Sequence, residues 1–233
     1  MAPRPSTAAA AATAPSTTKI LFFVPNLIGY ARMAASLTAY LVARDYPALC
    51  LVLYTASFVL DAVDGMAARA LNQCSHFGAI LDMLTDRAST SGFLVVLDGV
   101  LQPMPYRYTV VLSVLVFLDV ASHFCRMYAS VFIRKDSHKD VSDSIFWLLR
   151  LYYSNRRVMG VFCIGQEFAY ILLYAWANYA GVDVVGHVLW YAFAVCAVPC
   201  ALKQVVNVQQ LVDGLYHIAC VDAQERLEQS KRA

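Results

Sequence analysis

Leu51-Val-Leu-Tyr-Thr-Ala-Ser-Phe-Val-Leu60 runs directly into Asp61-Ala-Val-Asp64-Gly65-Met-Ala-Ala68-Arg69, and after eight further residues come Gly78, Asp82 and Asp86. An apolar run suited to lipid is thus followed at once by four carboxylates at fixed spacing. Each acid near the middle of a membrane helix costs at least about 2.5 kcal/mol on insertion scales, so the set needs something to neutralise it. On helices Asp61 and Asp64 stand at i, i+3 and Asp82 and Asp86 at i, i+4, so each pair projects from one face. Two such faces turned together make a four-carboxylate cage, whose members repel one another unless cations intervene. Hard divalent cations prefer all-oxygen ligands, and a two-cation site suits displacement at phosphorus. Gly65, Ala68 and Gly78 leave room for a diphosphate ester to approach the backbone, and Arg69 stands one turn beyond Asp64, placed to fork onto a phosphate oxygen. The alternative is structural ion pairing inside a bundle, with Arg32, Arg69, Arg87 and Arg126 as partners, a weak source of stability.

The rest of the chain agrees with a lipid setting. Its 233 residues are 60% hydrophobic and only 15% charged, with a mean hydropathy of +0.55. At ~20 residues per spanning helix, an all-α polytopic membrane protein with six transmembrane helices is expected, centred on 26–43, 48–70, 78–102, 108–131, 157–179 and 184–212. Six spans put both ends on one side. Arg4, Lys19, Arg69, Arg134, Lys135, Lys139, Arg150, Arg156, Arg157, Arg226, Lys231 and Arg232 fall at that face against Arg44 and Arg107 opposite, which makes it cytosolic by the positive-inside rule. The cage then opens toward the cytosol. Residues 1–18, rich in Ala, Ser, Thr and Pro, read as a disordered tail, 19–215 as the transmembrane catalytic domain and 216–233 as a cytosolic C-terminal tail. Pro25-Asn26 is expected to open the first span, with Asn26 as its cap. The seven cysteines are scattered along apolar spans without a C-x2-C pair, and the five histidines lack an H-x3-H pattern, which excludes a disulfide framework and zinc chemistry. No nucleic-acid partner is expected.

Asp-x2-Asp-Gly-x2-Ala-Arg-x8-Gly-x3-Asp-x3-Asp resembles, without a gap, the signature of the CDP-alcohol phosphotransferases. The flanking segments Phe23-Val-Pro-Asn-Leu-Ile-Gly-Tyr-Ala-Arg32, Phe77-Gly-Ala-Ile-Leu-Asp-Met-Leu-Thr-Asp-Arg87, Leu118-Asp-Val-Ala-Ser-His123, Ser137-His-Lys139 and Leu149-Arg-Leu-Tyr-Tyr153 are similar to the members of that family that use inositol. The resemblance implies the six-helix fold of the family and transfer of a phosphatidyl group from CDP-diacylglycerol to myo-inositol, assisted by two Mg2+ or Mn2+ ions. It implies that Asp61 and Asp82 bridge both ions, that Asp64 completes the first, and that Asp86 ligates the second and serves as the catalytic base. Gly65, Arg69 and Ser75 match positions that contact the CDP-diacylglycerol head, although Ser75 alone reads equally as a turn or cap residue. A homodimer in an endoplasmic-reticulum-type membrane is implied as well, and Ala88-Ser-Thr-Ser-Gly92 offers a stretch of small residues for helix contact.

The acceptor pocket is less distinct. Asp119, His123, Arg126, Lys139, Arg157, Gln166 and Glu167 are polar groups in or beside apolar spans and together suit a hydroxyl-rich pocket, with Lys139 and Arg157, at the mouth, suited to a phosphate. Phe124 and Gln166 depart from the residues usual in similar enzymes. Glycerol phosphate, serine, choline or ethanolamine are alternative acceptors. A cation-binding membrane transporter or scaffold is the alternative of a different class, and it would pass ions without forming CMP.

Overall fold

The computed structural model describes residues 15–132 and 144–232. Among these residues the chain is helical and without strands: α1 (Thr17–Leu21), α2 (Val24–Val42), α3 (Pro47–Ala70), α4 (His76–Leu101), α5 (Tyr106–Phe132), α6 (Trp147–Ser154), α7 (Arg156–Tyr179) and α8 (Asp183–Arg232). The all-α expectation holds, and six long helices fall where six spans are expected. Four of them, α3, α5, α7 and α8, are both long and apolar enough to cross a membrane. The other two, α2 and α4, carry Asn26, Arg32 and Ser36 and Asp82, Asp86 and Arg87, the polar side chains that build the site. Even α2, with 19 residues, is about 28 Å long at 1.5 Å per residue, close to the ~30 Å of a hydrocarbon core. The chain is an integral membrane protein.

Prolines help to start the helices, where a missing N–H costs nothing: Pro25 lies in the first turn of α2 and Pro47 begins α3. Asn26 departs from expectation. It lies inside the first turn of α2, which Phe23 precedes without a side-chain cap, and it donates from Nδ2 to the Ile20 carbonyl at 2.6 Å. Its role is to tie α1 to α2. A second departure is α8, which runs unbroken from Asp183 to Arg232 through Pro199. At about 75 Å this helix exceeds any bilayer, so the expected tail beyond residue 215 is helical as far as Arg232. The Pro199 ring finds its space at Gly165 of α7, where a Cβ would stand 2.4 Å from Pro199 Cγ. The short α6 was not legible as a helix in the sequence; it buries Leu148, Leu149 and Tyr152 against α7 and α8.

The core fixes α2, α3, α4 and α7 relative to one another. Tyr54 of α3 stacks on Phe93 of α4 with ring centroids 3.9 Å apart, and fully buried Tyr174 of α7 donates to the Ala43 carbonyl at 2.5 Å. Gly92 lets α4 close on α2, since a Cβ there would lie 2.6 Å from the Tyr40 ring. The neighbouring Ser89 bonds Ser36 at 3.0 Å, and buried Thr90 turns toward α7. Ser89, Thr90 and Gly92 therefore pack within the chain, while Ala88 at the start of the stretch is exposed.

Candidate active site

The link between α3 and α4 sets the site. Asn72 takes a left-handed φ of 53° just past the end of α3, which a short polar side chain tolerates. Ser75 then caps α4, its Oγ accepting from the Gly78 N–H at 2.9 Å. Gln73 Oε1 accepts from the Val24 N–H at 2.8 Å and fastens the link to the start of α2. The chain reverses here, and the carboxylates of α3 face those of α4. Asp61, Asp64 and Asp82 each present an oxygen within 4.8 Å of the others.

Arg32 of α2 occupies the centre of this group. Its Nη1 lies 2.5 Å from Asp64 Oδ2 and 3.0 Å from Asp82 Oδ1. Its Nη2 lies 2.6 Å from Asp61 Oδ1 and also bonds Asp86. The arginine side chain is 3% exposed, while Nε is buried without a hydrogen-bond partner. Arg87 adds a contact to Asp86 at 3.4 Å but is held chiefly by buried Asp119 at 2.6 Å. Of the four arginines weighed as structural partners, Arg32 and Arg87 do pair with the acids. Arg126 pairs with Asp213 at 2.7 Å, and no hydrogen bond or ion pair engages the Arg69 side chain among the described residues. The cage offers only carboxylate oxygen, the donor set of hard divalent cations, and its residues fit such ions.

Two cavities meet at the cage. The first, about 160 Å³, is lined by Asp64, Asp82, Gly65, Ala68, Arg69, Ser75 and Gly78. It gathers the three residues expected to meet a CDP-diacylglycerol head. A Cβ on Gly65 would touch only the Arg69 guanidinium, at 3.5 Å, so protein packing does not require a glycine there. Gly78 differs, because a Cβ would come within 3.0 Å of Asn26 Oδ1. Ser75 both caps α4 and lines this cavity.

The second cavity, about 110 Å³, is lined by Asp61, Asp86, Arg32, Arg87, Tyr54, Thr90, His123, Gln166, Glu167 and Lys203. It contains three of the residues expected to form the acceptor pocket, His123, Gln166 and Glu167. His123 Nδ1 lies 2.8 Å from the Asp119 carbonyl, and Gln166 Oε1 accepts from Gln204 at 3.0 Å. Arg157 is not among its residues; it lies exposed in the first turn of α7, beside the Asn155 cap. Lys139 lies outside the described residues. Sequence reasoning missed Lys203 of α8, which is 1% exposed and donates to Asn207 Oδ1 at 2.5 Å with its ammonium over the Tyr152 ring. The signal was there, a lone lysine in an apolar run. Tyr54 and Thr90 left no such signal.

The pattern that defines the CDP-alcohol phosphatidyltransferases matches residues 22–208. The chain belongs to this family. It is 40% identical over 213 residues to the CDP-diacylglycerol–inositol 3-phosphatidyltransferase of Mus musculus, which spans 89% of this chain and 96% of that protein. It is 39% identical over 206 residues to CDP-diacylglycerol–inositol 3-phosphatidyltransferase 1 of Arabidopsis thaliana, with 84% and 88% covered. The Saccharomyces cerevisiae protein of the same name is 36% identical over 214 residues, with 91% and 93% covered. No solved structure matches the chain significantly. The family match and the carboxylate cluster agree that this is a divalent-metal enzyme of lipid head-group transfer.

Proposed function

We propose that the chain transfers the phosphatidyl group of CDP-diacylglycerol to myo-inositol, giving phosphatidylinositol and CMP. The observation that carries this reading is the two-sided cage. Asp64 and Asp82 face a cavity with Arg69 and Gly65, whereas Asp61 and Asp86 face a separate polar cavity with His123, Gln166, Glu167 and Lys203. A donor in one cavity and an acceptor in the other are thereby brought to the same group of carboxylates, as displacement at phosphorus needs.

The chain's own groups then have distinct tasks. Arg69 pairs with a phosphate oxygen, and Gly65 lets the head lie close to α3. Away from the cage residues Asp61, Asp86, Arg32 and Arg87, the acceptor cavity adds Glu167, Lys203, His123 and neutral hydroxyl and amide groups, hydrogen-bonding partners suited to a polyol. An inositol hydroxyl bonds to the phosphorus carrying diacylglycerol, the bond from that phosphorus to the CMP oxygen breaks, CMP leaves with the electron pair, and Asp86 takes the hydroxyl proton. Asp61, Asp64, Asp82 and Asp86 hold two Mg2+ or Mn2+ ions. When bound, these supply positive charge against the diphosphate and the departing CMP.

The six long helices support a reading with six spans, in which the site faces the cytosol. The end where α3 gives way to α4 is also that of Arg150, Arg156, Arg226 and Arg232, with Arg44 and Arg107 at the other. An endoplasmic-reticulum membrane and a homodimer complete the reading. Purified protein given CDP-diacylglycerol, Mg2+ or Mn2+ and a panel of labelled alcohols tests it. CMP release with inositol and not with glycerol phosphate, serine, choline or ethanolamine is expected; release with one of the others alone contradicts the acceptor, and ion flux without CMP contradicts the class.

A further inference from the structure

A single guanidinium bonded to four carboxylates is an unfinished arrangement. Arg32 supplies one positive charge where Asp61, Asp64, Asp82 and Asp86 supply four negative ones, and all five lie on membrane helices. Its two terminal nitrogens are each shared by one acid of α3 and one of α4, so it draws the two helices' oxygens to a common centre. That geometry is what an oxygen cage for cations requires, yet the excess negative charge is what a low-dielectric interior resists.

The same volume cannot serve both. Nη1 and Nη2 stand 2.5 to 3.0 Å from Asp64, Asp82 and Asp61 oxygens, and a Mg2+ ion would need those oxygens at about 2.0–2.1 Å around itself. Two dications balance four carboxylates without the arginine and repel it at contact distance. Arg32 also lines the second cavity, and its Nε is buried without a hydrogen-bond partner, so a polar space adjoins the residue and, among the described residues, the carboxylates alone bond its guanidinium.

We propose that Arg32 is a positioning residue that holds the four aspartates converged until divalent cations arrive, competes with those cations for the cage, and turns into the acceptor-side cavity when they bind. The inference rests on the metal-cage reading above and goes beyond it. It makes metal entry an exchange of counterions instead of filling of an open site.

Metal-stripped wild-type, Arg32→Gln and Arg32→Lys proteins, purified in detergent, are titrated with Mn2+ by the EPR signal of the free ion and melted in EDTA and in saturating Mn2+. Removing a like charge from the cage predicts Mn2+ affinity at least about tenfold higher in Arg32→Gln, with Arg32→Lys between it and wild type. In EDTA both variants melt below wild type, and Mn2+ raises their melting temperature more than it raises that of wild type. Affinity equal to or weaker than wild type in the folded variants overturns the proposal and leaves the cage reading intact. A wild-type protein that binds no Mn2+ overturns both. Should neither variant fold, phenylglyoxal modification of wild type decides: Arg32 is protected in EDTA and modified with Mn2+ bound, and identical protection in the two states is the contrary result.

Discussion

Tyr54 on α3 donates its hydroxyl proton to Glu167 on α7 across 2.8 Å, and Thr90 on α4 serves the other carboxylate oxygen at 2.7 Å. Glu167 is buried, lines the cavity of Asp86, and has no cation within 4.0 Å among the described residues. A carboxylate fixed by two hydroxyls from separate helices is held in place with accepting capacity left for a polyol. Glu167→Gln keeps the shape and removes the charge. We expect the KM for inositol to rise about tenfold, the value of one charge-assisted hydrogen bond, with the KM for CDP-diacylglycerol within about twofold of wild type. Steady-state kinetics with each substrate varied in turn checks this.

Arg69 gives the opposite pattern. It is exposed, unengaged among the described residues, and folded over Gly65 in the donor-side cavity. Arg69→Gln is expected to raise the KM for CDP-diacylglycerol by about ten- to a hundredfold and to leave that for inositol alone. Arg69→Lys should restore only part of the loss, because an ammonium cannot form the fork. The melting temperature should not move.

Two glycines of one motif should separate in their responses. Gly78→Ala forces the Asn26 side chain away from a Cβ at 3.0 Å and is expected to destabilise by about 1 kcal/mol or more. Gly65→Ala meets only the Arg69 head at 3.5 Å and gains helix propensity, so stability should hold or rise by up to about 1 kcal/mol while the donor KM increases. Thermal unfolding in detergent, read beside KM, distinguishes the two.

Much of this site was legible in the chain because its signals are local. The i, i+3 and i, i+4 spacing fixed which face each carboxylate takes, and the short Leu71–Ser75 link, with Asn72 at positive φ, turns those faces together. Arg69, Gly65 and Ser75 are neighbours of the cage in sequence as well as in space. What stayed hidden comes from afar. Lys203 enters from α8 without warning, and Arg32 from α2 and Glu167 from α7 stand out only as polar groups, because single polar residues in apolar runs do not declare which helix they will face. Arg157 shows the converse error, since a basic residue near a helix end was read as lining the mouth but lies apart from both cavities. Asn26 followed the cap preference in composition only, because Val24 already begins the helix two residues earlier. The space that admits the Pro199 ring within α8 is made by Gly165 on a different helix, which no local pattern announces.

Asp86 faces the acceptor-side cavity and is 30% exposed there, where a hydroxyl can reach it. Asp86→Asn at saturating Mn2+ and both substrates should lower kcat by ~10²–10⁴, the range for loss of a general base. KM values should change little. Wild-type turnover in that variant would remove Asp86 from the proton-transfer role.

Counting the ions tests the central claim most directly. Purified protein freed of metal and titrated with Mn2+ is expected to bind two ions per chain, and the Asp61→Asn/Asp82→Asn double variant to bind none at the same concentrations. A wild-type protein that binds no Mn2+, or a double variant that binds as many ions as wild type, would contradict the assignment of these four aspartates as the metal cage.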